Sequence, residues 1–70
     1  MEISARNQIP AIVKSVKEGA VMAEVVVTLD GGQELVSVIT VDSARRLGLA
    51  AGKRVMVVVK STEVMLAVGE

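Results

Sequence analysis

The chain has no cysteine, no histidine and no phenylalanine, tyrosine or tryptophan, and each absence removes a class of protein. Without cysteine there are no disulfides, and without cysteine and histidine together there is no zinc arrangement built on sulfur or imidazole. The same two absences exclude Ser-His and Cys-His nucleophiles, and carboxylates such as Glu18 and Glu24 show neither a partner base nor a metal-ligand pattern, so the chain is not read as an enzyme. Lacking aromatics, it offers no platform for stacked single-stranded bases. Charge of one sign is missing too. Eight basic and eight acidic residues give a formal net charge of zero, and they are scattered singly, so no basic stripe attracts nucleic acid or an anionic membrane. The apolar runs fall well short of the roughly 20 residues of a membrane helix, and Met1-Glu2-Ile3-Ser4 lacks a basic segment followed by an apolar stretch. A cytoplasmic location is expected.

What the chain does have is apolar surface. Its 70 residues form one small domain, 1–70, of which 51% are hydrophobic, with a mean hydropathy of +0.57. A domain of this size buries a low fraction of its surface and needs some additional source of stability. With disulfides and zinc excluded, self-association remains, and part of the apolar surface is expected to face other subunits.

Patterning predicts an all-β chain. Ile9 to Lys17 alternates loosely as a half-buried strand, with Ile12, Lys14 and Val16 set against Val13, Ser15 and Lys17; Pro10 sits near its start or at an edge. After a turn at Glu18-Gly19-Ala20, Val21 to Leu29 reads as a second strand. Asp30-Gly31-Gly32 makes a tight hairpin, and Glu34 to Val41 follows with Leu35, Ser37, Ile39 and Val41 on one face. The stretch 42–48 is a two-turn helix, with Asp42 and Ser43 at its start, Arg45 and Arg46 as solvated bases in its last turn and Gly48 ending it. Arg54 to Lys60 is a fourth strand, Ser61-Thr62-Glu63 a bend or short helical turn, and Val64 to Val68 a fifth strand. Five strands with one short helix between the third and fourth match a five-stranded OB-fold-like barrel. An open meander whose edges pair between subunits fits the same pattern.

Two clusters of hydrogen-bond donors stand out. Ser4-Ala5-Arg6-Asn7-Gln8 directly precedes the first strand, and Lys60-Ser61-Thr62 directly follows the fourth. Together they supply a guanidinium, an ammonium, hydroxyls, amides and free main-chain N–H groups, which is the inventory for holding a multiply charged anion. Each also has an ordinary reading: the first as a frayed polar terminus, the second as a solvated turn with a capping hydroxyl. Thr40, at the junction of third strand and helix, most simply ends the strand or caps the helix.

Over essentially its whole length, in order and spacing, the chain resembles the molbindins, the small Mop proteins related to TOBE domains. The resemblance is carried by Ile3-Ser4-Ala5-Arg6-Asn7-Gln8, by Thr40-Val41-Asp42-Ser43-Ala44 with Leu47-Gly48-Leu49, and by Val59-Lys60-Ser61-Thr62-Glu63-Val64-Met65. It implies an OB-like barrel, a homohexamer arranged as a trimer of dimers, and binding of molybdate or tungstate between subunits for intracellular molybdenum storage and homeostasis. On this pattern Ser4, Arg6, Lys60 and Ser61 donate to the anion together with Thr40 of a neighbouring subunit, while Asn7 adds a contact or braces the loop. Some members carry Ala at the position of Ser61, which implies that its backbone N–H is the donor. The family's association with molybdopterin implies an alternative role, a module that delivers molybdenum or molybdopterin to a partner protein.

Overall fold

A computed structural model of the chain describes Met1–Gly69. Four antiparallel strands, β1 (Asn7–Glu18), β2 (Met22–Leu29), β3 (Glu34–Thr40) and β4 (Arg54–Val59), form one sheet in the order β3-β2-β1-β4. A six-residue helix α1 (Val41–Arg46) separates β3 from β4, and a single 3-10 turn (Ser61–Glu63) follows β4. The all-β class and the position of the helix agree with the expectation. The fifth strand does not: among the described residues, Val64–Gly69 pairs with nothing in the sheet. The sheet is therefore curled but open, with β3 and β4 as its two edges.

The hairpin between β2 and β3 turns where Gly32 takes a φ of 91°, a left-handed conformation that is costly for residues with a side chain. Leu29 N–H to Gln33 O at 2.8 Å closes it. Next to β2, the pairing of β1 shifts register between Val13 and Ser15, so one extra residue, Lys14, is accommodated in a bulge. The bulge changes which side chains share a face. Val13 and Val16 both contribute to the interior and Ile12 lies exposed, whereas simple alternation groups Ile12 with Val16. On its other side, Val13 continues the β4 pairing into the loop before that strand, by Gly52 N–H to Val13 O at 2.8 Å and Val13 N–H to Lys53 O at 2.9 Å.

The interior is built of small side chains. Ala11, Val13, Val25 and Val27 form the centre, and Ala23, Val41 and Ala44 pack α1 against one end of the sheet. Val41 begins the helix instead of ending β3. Its N–H binds Val21 O at 2.8 Å. The helix stops at Leu47 and Gly48, the latter at a φ of 66°, and Lys53 Nζ donates to Leu47 O at 2.9 Å. Arg45 is more than a solvated base: Nη2 and Nε donate to the two oxygens of Glu18 at 2.9 and 3.2 Å, tying α1 to the end of β1. Glu18 thus has an ion-pair partner that inspection of the sequence did not assign to it. The hydrogen bond from Arg45, with its charge, holds the Glu18 carboxyl below its ordinary 4.5.

The accessible surface is 5602 Å², against roughly 4,200 Å² for a compact monomer of this mass. The radius of gyration of 13.1 Å likewise exceeds the roughly 11 Å of a compact chain of this length.

Two outcomes follow from this packing. Val13 is 1% exposed, so Val13→Ala, which removes two fully buried methyl groups, is expected to cost about 2 kcal/mol in urea unfolding at fixed protein concentration. Because the folded carboxyl of Glu18 titrates below its ordinary value, its pairing stabilises above about pH 4.5 and is lost as pH falls through the lower folded value. The difference in thermal midpoint between wild type and Glu18→Gln should accordingly be present at neutral pH and vanish in acid.

Candidate functional site

The pairing of β1 with β4 decides where the donor clusters lie. Asn7, the first residue of β1, is opposite Val59, the last of β4. The segment carrying Ser4 and Arg6 therefore enters the sheet beside the point where Lys60 and Ser61 leave it, and two clusters more than fifty positions apart in sequence occupy one end of the sheet. Gln8 is engaged locally: its Nε2 donates to Ala5 O at 2.6 Å, which folds the entering segment back on itself.

At the exit, Lys60 has extended φ and ψ of −66° and 135° and precedes the 3-10 turn without capping it. Glu63 N–H to Lys60 O at 2.9 Å closes that turn. The N–H groups of Ser61 and Thr62 stand ahead of this bond, in the positions that a helical turn leaves without internal partners. Ser4, Arg6, Lys60 and Ser61 are exposed and Asn7 is half-buried. Among the described residues, none of their side chains takes part in a hydrogen bond or ion pair. These are free donors in water, where a charge-assisted contact is at its weakest. Covering them with a second surface lowers the local dielectric and strengthens each contact.

Thr40 lies elsewhere. It pairs with Met22 at the far end of β3, beyond the eleven residue steps of β1 from Asn7 to Glu18, a span of roughly 35 Å of extended chain. One copy therefore brings Ser4, Arg6, Asn7, Lys60 and Ser61 together and leaves Thr40 out. The Thr40 hydroxyl also has work of its own. Its Oγ1 accepts from Ser43 N–H at 3.1 Å, capping α1, and is placed to donate to Ser43 Oγ at 2.9 Å. Both ordinary readings of Thr40, strand end and helix cap, are realised at once.

Patterning did not reveal the groove on the concave side of the sheet. About 420 Å³ in volume, it is floored by Val13, Val25 and Val27 and opens between Leu35 on β3 and Val57 on β4. The signal available in the sequence was the unusual load of uncharged aliphatic residues in these strands; what it could not specify was that the sheet stays open.

The TOBE domain family matches residues 3–66. Molybdenum-pterin-binding protein 2 of Clostridium pasteurianum is 47% identical over 66 residues, covering 94% of this chain and 97% of that protein. The structure of MopII from Clostridium pasteurianum in an apo form superposes with a TM-score of 0.90 at 45% identity, covering 96% of this chain and all of the other. ModG, described as a cytoplasmic molybdate-binding protein and solved with molybdate bound, superposes with a TM-score of 0.81 at 48% identity, covering 94% of this chain and 53% of that one.

The capping role of Thr40 is separable from any role toward a ligand. Thr40→Ala should lower the stability of the ligand-free protein by about 1 kcal/mol, the usual cost of a lost N-cap, and Thr40→Asn, which keeps a capping acceptor, should restore most of it. Equilibrium unfolding in buffer free of oxyanions measures both.

Proposed function

The chain belongs to the TOBE domain family, and on that premise we propose that it binds molybdate, or tungstate, as an intact oxyanion between copies of itself, in intracellular molybdenum storage and homeostasis. The observation that carries this reading is the pairing of Asn7 with Val59, which sets the Ser4–Arg6 and Lys60–Ser61 donors at one end of the sheet. The names of the relatives support the choice of ligand: one is a molybdenum-pterin-binding protein and another a molybdate-binding protein.

Molybdate and tungstate are tetrahedral dianions that accept at every oxygen, so a site made of donors suits them. Phosphate, partly protonated near neutral pH, needs an acceptor as well, and a pocket that supplies none disfavours it. Sulfate is a smaller dianion, so its rejection rests on cavity size. Arg6 and Lys60 provide charge, Ser4 a hydroxyl, Ser61 its hydroxyl or N–H, and Asn7 a contact or a brace for the entering segment. Thr40 completes the site from a neighbouring copy, since within one chain it lies at the far end of the sheet. The assembly is a homohexamer arranged as a trimer of dimers, and residues 1–70 make up one Mop/TOBE domain whose curled sheet is the single-chain part of an OB-type barrel. The protein works in the cytoplasm as a binding protein, without catalysis, catalytic cofactor, nucleic acid or membrane.

The relatives' association with pterin supports a second reading, a module that hands molybdenum or molybdopterin to a partner protein. The lack of aromatic residues places it behind the first.

Calorimetric titration with molybdate, tungstate, sulfate and phosphate tests the proposal. Saturable binding of the first two with weak or no binding of the others is expected; equal or absent binding of all four would sink it. Arg6→Ala and Lys60→Ala should each weaken molybdate binding roughly tenfold to a hundredfold, the value of one charge-assisted hydrogen bond, with an unchanged circular dichroism spectrum. Stoichiometric uptake of a fluorescent pterin in place of the oxyanion would favour the second reading.

A further inference from the structure

The segment that carries Ser4 and Arg6 lies outside the sheet, since β1 begins only at Asn7, and its donors make a site only if the segment is held in one place. Outside the strand pairing, one hydrogen bond among the described residues reaches back into residues 1–6: Gln8 Nε2 donates to Ala5 O at 2.6 Å. The acceptor belongs to the residue between the two donors. Gln8 itself is anchored, because its backbone stands opposite Val58 of β4 in the antiparallel register. Its side chain therefore ties the sheet to the part of the chain that the sheet does not reach.

We propose that Gln8 is a positioning residue for the anion site: it does not touch the ligand, but fixes the Ala5–Arg6 peptide and so presents Ser4 and Arg6 in one arrangement. The inference rests on the oxyanion reading of this end of the sheet. The acceptor is a carbonyl, so the amide nitrogen of Gln8, and not its oxygen, faces the entering segment. A peptide unit is planar and trans. Holding the carbonyl of Ala5 thus fixes the plane that also contains the N and Cα of Arg6, and with it the point from which the guanidinium-bearing side chain departs. Asparagine is one methylene shorter, and an ionised glutamate has no proton to give.

The alternative for such a segment is to fray, as chain ends outside secondary structure do. A frayed segment has to be ordered when the anion binds, and the backbone freedom it loses subtracts from affinity. A bond already made in the ligand-free chain moves part of that cost from binding to folding. Because the bond is exposed and neutral, its effect on affinity is that of one ordinary hydrogen bond in water, smaller than the effect of losing the charge of Arg6 or Lys60.

The test uses the full chain and Gln8→Met, which keeps the length of the side chain and removes the donor without adding charge. Gln8 is exposed and the β1–β4 ladder is made by backbone groups, so an unchanged circular dichroism spectrum is expected. In the ligand-free variant, 15N order parameters of Ala5 and Arg6 should fall from the roughly 0.85 of rigid backbone to below about 0.6, while those of Ile9 and Val57 hold. Calorimetric titration with molybdate should show an affinity roughly threefold to tenfold lower than wild type. In the background of Arg6→Ala the same substitution should cost markedly less, since a tether has less to position there. Unchanged order parameters, unchanged affinity, or a cost that simply adds to that of Arg6→Ala, as an independent ligand contact would, each overturn the proposal. Absence of molybdate binding by the wild type, with the order of Ala5 and Arg6 still dependent on Gln8, would instead tell against the oxyanion reading on which it rests.

Discussion

The rest of this structure depends on how little a single copy buries. Its buried core consists of alanine and valine alone: Ala11, Val13, Ala23, Val25, Val27, Val41 and Ala44. Small β-branched side chains suit a tightly curled sheet, because they fill a shallow concavity in few rotamers. They also bury little area per residue, and in a domain of this size that leaves conformational entropy barely offset. Larger aliphatic residues are present, but Met22, Leu35, Met56, Met65 and Leu66 are among those left exposed. Hydrophobic burial scales with area removed from water, so these side chains add little stabilisation within a single copy.

Much of the architecture was legible because strand, turn and helix signals are local. The Gly31-Gly32 pair marked the hairpin, Gly48 ended the helix, and alternation put Leu35, Ser37 and Ile39 on one face of β3. The failures come from interactions that are not local. Lys14 sits at a bulge in the pairing of β1 with β2, which depends on the partner strand, so the alternation of β1 could not be carried through it. Val41 alternates correctly as a strand residue, but the Thr40 hydroxyl caps a helix there and the helical start prevails. Val64–Val68 has every property of a strand except a neighbour within its own chain. Pairing is what makes a strand, and the pairing partner is not encoded in the segment itself.

For the candidate site, composition yielded the donors, and topology alone yielded their grouping. Nothing in Ser4–Gln8 or in Lys60–Thr62 points to the other. The antiparallel register of β1 with β4 brings them side by side, as it would any residues at those positions. The same register carries Thr40 to the opposite end, because β2 and β3 continue the sheet away from β4. A site that uses all these residues is then necessarily shared between copies. In such a shared site ligand binding and association would be linked: an anion bridging two copies would stabilise the assembly by mass action, and the assembly would raise affinity by holding donors in place before the anion arrives.

The turn Ser61–Glu63 is where this linkage has its shortest physical path. On one side it presents Lys60 and the N–H groups of Ser61 and Thr62; on the other it launches the arm that begins at Val64. Within one copy the turn is held by β4 alone. Loops fixed at one end sample many conformations, and ordering them costs roughly 1–2 kcal/mol per residue in backbone entropy. Any contact that settled the aliphatic arm on an apolar surface would meet part of that cost before an anion arrived at Lys60 and Ser61, so affinity there would depend on residues that never touch the ligand.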